Sequence, residues 1–124
     1  MKAYTDVEQS KRLDKILPKD SYDMYLSRTD DGRTYMPHFG KTIVIDRNMF
    51  SYRNGFTVPC WSLATLISLL PKCLIYTPNS IYEGYTCRNI VTGEETSNED
   101  NLVDCCVEMI IKNYEQNKER LQEK

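Results

Sequence analysis

The stretch TVPCWSLATLISLLPK, residues 57–72, decides how the chain is read. Ser62 is placed to cap a helix, and Leu63, Leu66, Ile67 and Leu70 then fall at i, i+3, i+4 and i+7, one helical face. Trp61 stands before the cap and Leu66 at the fourth helical position, the spacing of a hydrophobic staple. Pro71 stops the helix. A helix this short does not hold by itself in water. It needs packing, and Trp61, the single tryptophan, is the largest apolar body available to supply it. The same stretch carries Cys60, which raises a second reading: a nucleophile with His38, the one histidine, as its base. A reactive thiolate needs an electropositive, partly exposed niche. Pro59 and Trp61 flank Cys60 and no basic residue adjoins it, so the expectation is a structural thiol beside a structural Trp.

Upstream, Thr5 followed by Glu8 has capping-box spacing and predicts a helix from Asp6 to Leu17, ended by Pro18. Val7, Leu13, Ile16 and Leu17 give that helix a thin apolar stripe. From Ser21 to Val58 the period changes to two: Tyr22, Met24 and Leu26 alternate with Asp23, Tyr25 and Ser27. Asp31-Gly32 signals a turn, and Pro37 in RTYMPHF demotes the next strand to an edge. KTIVID reads as a further strand, with turn signals around MFSY.

Downstream, KCLIYT is a strand, PNS a turn, and IYEGYTCRNIV a longer strand with Gly84 as a bulge candidate. TGEE turns the chain again, and ETS is placed to close a three-stranded meander. Asn101 and Asp104 form a cap pair for a last helix whose apolar face is Val103, Cys106, Val107, Ile110, Ile111 and Tyr114. The charged residues 115–124 read as a fraying tail. Two amphipathic helices bracketed by strands predict an α+β fold: an antiparallel sheet packed on one face against both helices, with the N-terminal helix added. With no internal repeat and no linker, residues 1–124 read as a single domain.

Composition narrows the classes. At 124 residues the chain is long enough to bury a core without metals or disulfides. A net charge of −2 makes no field for nucleic acid or anionic membranes. No apolar run reaches the ~18 residues of a membrane span, and no signal peptide follows Lys2. A cytoplasmic location is therefore expected. The five cysteines, Cys60, Cys73, Cys87, Cys105 and Cys106, are odd in number and have neither disulfide-framework nor zinc spacing, so reduced, buried thiols are expected and no cofactor.

Phosphate loops and nucleophile elbows are missing from the sequence. Acidic residues gather before and within the last helix: Glu94, Glu95, Glu99, Asp100, Asp104 and Glu108. Asp104 and Glu108 share a face, which a divalent cation would accept, but capping and a solvated face explain them more simply. Asp46, closing KTIVID, is a weaker carboxylate candidate. Arg28, Arg33, Tyr35, Lys41, Arg47, Tyr52 and Arg53 are the candidate binding residues, because Arg and Tyr are the types that recognition surfaces favour.

VPCWSLATLISLLP, residues 58–71, and DNLVDCCVEMIIK, residues 100–112, together resemble a group of small proteins of gut Bacteroidetes phages, prophages and other mobile elements. That group pairs a WSL…LLP segment with a late DNPVDACVEMIIK segment, and LDKILPKDSYDMY, residues 13–25, is similar as well. Leu102 stands where the pattern has Pro, a change the first helical position tolerates. The resemblance implies a mobile-element context and brings no catalytic residue with it. Three functions follow as expectations: a non-enzymatic binder that inhibits or assists a host or phage protein, a sponge for a small nucleotide, and a small enzyme using a Cys or carboxylates. The first ranks highest. Homo-oligomers are compatible with all three.

Overall fold

The computed structural model describes residues 2–29, 33–40, 57–77, 84–97 and 99–122. The fold is α+β with antiparallel pairing throughout. Its elements, in chain order, are α1 (Val7–Asp14), β1 (Met24–Arg28), β2 (Tyr35–Phe39), β3 (Thr57–Cys60), α2 (Leu63–Leu69), β4 (Cys73–Tyr76), β5 (Thr86–Asn89) and α3 (Leu102–Gln122). The strand expected at KTIVID, the turns at Asp31-Gly32 and PNS, and Asp46 lie outside the described residues.

The described strands do not form one sheet. They form two, with order β2-β1-β3 in the first and β4-β5 in the second. The chain likewise groups into two compact units, Tyr4–Thr65 and Met1–Ala3 with Leu66–Lys124. Within the units, α1 lies against β3 and α3 against β5. Each sheet buries its apolar face against the helix of its own unit.

In the unit Tyr4–Thr65, β1 is central and alternates as its sequence demands. Met24 and Leu26 are buried, and Tyr25 and Ser27 are half-buried on the opposite face. Pro37 of β2 lies opposite Leu26, and Pro59 of β3 lies opposite Tyr25. Both Pro residues thus sit on the strands flanking β1, as the missing N–H requires. Met24, Leu26, Val58 and Cys60 form the core, with Tyr4, Val7 and Tyr35 packed against it.

The cap of α1 is one residue later than Thr5. Gln9 N–H donates to Asp6 Oδ1 at 2.8 Å, and Asp6 N–H donates to Gln9 Oε1 at 3.1 Å. Both spacings fit a capping box; Thr5 is used elsewhere. Its backbone N–H donates to Trp61 O at 3.0 Å, and its hydroxyl accepts from Trp61 N–H at 3.2 Å. Thr5 is fully buried, and its hydroxyl also lies 2.7 Å from Ser10 Oγ. Trp61 is buried too: its indole N–H donates to Ser21 Oγ at 3.0 Å, and its ring meets Tyr22 edge-on. Ser62 caps α2 as read from the sequence, accepting from Thr65 N–H at 3.3 Å. Leu66 is buried, but Ile67 is 49% exposed, so the apolar face of α2 is narrower than its periodicity suggests.

In the second unit, Asn101 caps α3 by accepting from Asp104 N–H at 2.9 Å. The buried face holds Val103, Cys105, Cys106, Val107, Met109 and Ile110. Cys105 and Met109 enlarge the expected face, whereas Tyr114 is 40% exposed, and the helix runs on through the charged segment to Gln122. Of the long strand expected around Gly84, the described part is β5. Gly84 takes φ 143, which favours glycine, and Tyr85 makes an isolated bridge with Glu99. The third strand of the meander is reduced to a second isolated bridge, Arg88 with Glu95. Among the described residues no helix is long and apolar enough to cross a membrane.

Candidate functional site

The reactive pair, Cys60 with His38, is ruled out by register. Cys60 lies opposite Met24 and shares its core face, while His38 lies opposite Tyr25 on the other face. Burial pushes the Cys60 thiol up, an effect that its hydrogen bonds with Thr5 and Ser10 only partly offset. The thiol donates to Thr5 O at 3.4 Å and accepts from Thr5 Oγ1 at 3.5 Å. His38 is engaged on its own face: it stacks on Tyr25 with centroids 4.7 Å apart and planes at 10°, and its Nε2 lies 2.6 Å from Ser27 Oγ.

Four of the carboxylates near α3, Glu95, Glu99, Asp104 and Glu108, have protein partners, whereas Glu94 Oε2 is buried with no hydrogen-bond partner among the described residues. Lys2 Nζ donates to Asp104 Oδ1 at 2.7 Å, and Tyr76 OH donates to Glu95 Oε2 at 2.9 Å. Ser97 donates to Glu108 through its backbone N–H at 3.1 Å and reaches Glu99 Oε1 through its hydroxyl at 3.0 Å. The neighbouring Glu108 carboxyl, with burial, raises Glu99 above the ordinary carboxyl range. Burial works to raise Glu108 as well, but bonds from Glu99 and Ser97 overcome it and hold Glu108 low. Among the described residues, no three or more His, Cys, Asp or Glu side chains are grouped to hold a metal ion.

Of the candidate binding residues, Arg28, Arg33 and Tyr35 are described; Lys41, Arg47, Tyr52 and Arg53 lie outside the described residues. Arg28 is directly opposite Tyr35 in the β1–β2 register, and Arg33 stands two residues before it. Both arginines are exposed. Tyr35 is half-buried and packs against the core, so part of its ring is structural. Two further residues join this edge that residue type alone did not single out: Met36, 55% exposed, and Phe39, 85% exposed. Their signal in the sequence is an apolar residue on each side of Pro37 in a strand too polar to be central. Strand β2 therefore exposes Met36 on one face and Phe39 on the other, with Phe39 at the opposite end of the ladder from Arg28 and Tyr35. These are the residue types over-represented at protein interfaces.

No protein-family model matches the chain, and neither a curated protein nor a solved structure matches it. Its class is set by the fold alone, α+β with antiparallel pairing.

Proposed function

We propose that this chain is a non-enzymatic binding protein that acts on a protein of a bacterial host, in the cytoplasm, as an inhibitor or accessory of a phage or mobile element. The mobile-element context comes from the resemblance of residues 58–71 and 100–112 described above. The observation that carries the binding role is the exposure of Phe39, at 85%, and Met36, at 55%, on β2, with Arg28 and Arg33 exposed toward the other end of the same ladder. Aromatic and Arg side chains are the types that dominate binding energy at interfaces. Burial of the Cys60, Cys105 and Cys106 thiols, each held above its ordinary value, supports a structural use of these cysteines over a catalytic one.

The test is affinity capture from host lysate with the wild-type chain and with the triple variant Arg28→Ala/Arg33→Ala/Phe39→Ala. A host protein retained by the wild type should be lost from a variant with unchanged circular dichroism and melting temperature. Retention by the folded variant places the surface elsewhere. A nucleotide thermal-shift panel run beside it separates the sponge, which a ligand would stabilise by RT ln(1 + [L]/Kd).

A further inference from the structure

The second unit gathers thiols. Cys87 and Cys105 are core residues with Met109, and Cys73 packs against them. In the β4–β5 ladder, Cys73 lies opposite Asn89 and Ile75 lies opposite Cys87. Cys73 and Cys87 are therefore diagonal neighbours on one face of the hairpin. Each thiol acts on the other's ionisation, Cys87 drawing Cys73 down and Cys73 pushing Cys87 up. They differ in access: Cys87 is fully buried, and Cys73 is half-buried at the first position of β4. Cys105 has a different partner, with its sulfur 3.7 Å from Thr96 Oγ1.

We propose that Cys73 and Cys87 are a modification site, a thiol pair that a small-molecule disulfide such as oxidised glutathione converts into a disulfide across the β4–β5 hairpin, with Cys73 as the point of entry. The Cys73 thiol loses its proton and its sulfur attacks one sulfur of oxidised glutathione. That disulfide breaks, and one glutathione leaves as a thiolate and takes up a proton. Cys87 then loses its proton and attacks the Cys73 sulfur of the mixed disulfide, and the second glutathione leaves in the same way. Two cysteine thiols are oxidised to one disulfide, and one oxidised glutathione is reduced to two molecules of glutathione. The attacking species is the thiolate. Burial raises both thiols, and the contact with Cys73 raises Cys87 further, so the reaction is slow at neutral pH and quickens as pH rises. The same burial withholds thiolate stabilisation from the reduced form. That is the reverse of strongly oxidising dithiols, whose reduced state is stabilised, so the disulfide persists once made.

The experiment treats the full chain with oxidised glutathione at neutral and alkaline pH, blocks remaining thiols, and maps tryptic peptides. Cleavage after Lys72 and Arg88 leaves Cys73 and Cys87 on one peptide, 73–88, while Cys105 and Cys106 fall on 89–112. Peptide 73–88 should lose two hydrogens, faster at higher pH, while Cys60 stays reduced and the melting temperature rises until a reductant is added. Cys87→Ser, or Cys87→Ala if the first does not fold, should stop with glutathione on Cys73. Three results overturn the proposal: a fully blockable peptide 73–88 after prolonged exposure, Cys73 joined to peptide 89–112, or loss of all five thiols at one common rate.

Discussion

The two cores of this protein bury cysteine in opposite ways. In the unit Tyr4–Thr65, Cys60 is tied into a polar lock: its thiol bonds the hydroxyl and carbonyl of Thr5, and that hydroxyl also serves Ser10 and the Trp61 backbone. In the other unit, Cys106 on α3 is fully buried, and no hydrogen bond to its thiol is found among the described residues. Desolvation, with the neighbouring thiols, pushes Cys106 up to about 12. Cys60 is fixed by directional bonds, Cys106 by apolar contact. The difference teaches that cysteine's place in a core is set by its neighbours: beside Thr5 it is a hydrogen-bonding residue, and at position 106 it is a small hydrophobe.

Removing the largest body of the first core should have the largest effect. Trp61→Ala is expected to cost ~3–5 kcal/mol, against the ~5–15 kcal/mol that holds a typical domain, measured by urea titration. Trp61→Phe should recover part of it, because a ring still fills some of the site while the indole bond to Ser21 and part of the buried volume are lost. A loss below ~1 kcal/mol for Trp61→Ala would break the picture of Trp61 as the anchor of this unit.

Thr5→Val comes next. It keeps the shape and removes the hydroxyl, leaving Ser10, Cys60 and the Trp61 N–H each short of a partner. The expected cost is ~1–3 kcal/mol. A neutral result in the same titration would mean that the lock is incidental to packing.

Cysteine-to-serine changes then test the contrast directly. Cys106→Ser puts a hydroxyl into an apolar site and should cost ~1–3 kcal/mol. Cys60→Ser meets the oxygens of Thr5 and should cost under ~1 kcal/mol, no more than Cys60→Ala. Equal costs at 60 and 106 would erase the distinction between the cores.

The smallest effect is on pH dependence. Glu99 is raised above 4.5, so its contribution is present at low pH and is lost as pH rises through its folded value. Glu108 is lowered below 4.5, so its contribution is present above that value and is lost as pH falls through its folded value. The two contributions coincide between the folded values, above that of Glu108 and below that of Glu99. Glu99→Gln should flatten the decline in melting temperature as pH rises out of that window. An unchanged profile would show that the raised Glu99 carboxyl has no bearing on stability.

Much of this was legible in the chain. The alternation in β1, the capping by Ser62 and Asn101, and the displacement of Pro37 from the central strand are local effects, fixed by side-chain period and backbone chemistry within a few residues. The candidate site was half legible. Arg28, Arg33 and Tyr35 stood out by type, whereas Met36 and Phe39 did not, because an apolar residue in a strand is read as core until its exposure is known.

The sequence by itself determined the α+β class, the order of helices and strands among the described residues, and the caps of α2 and α3. Only the tertiary structure decided three things. It separated the described strands into two sheets, because β3 and β5 found different helices to cover them. It put Cys60 and His38 on opposite faces of one sheet, through a pairing register that sequence spacing does not encode. And it moved the cap of α1 from Thr5 to Asp6. Thr5-x-x-Glu8 and Asp6-x-x-Gln9 are locally equivalent, and the choice fell to Trp61, distant in sequence, whose backbone claims Thr5 for the core.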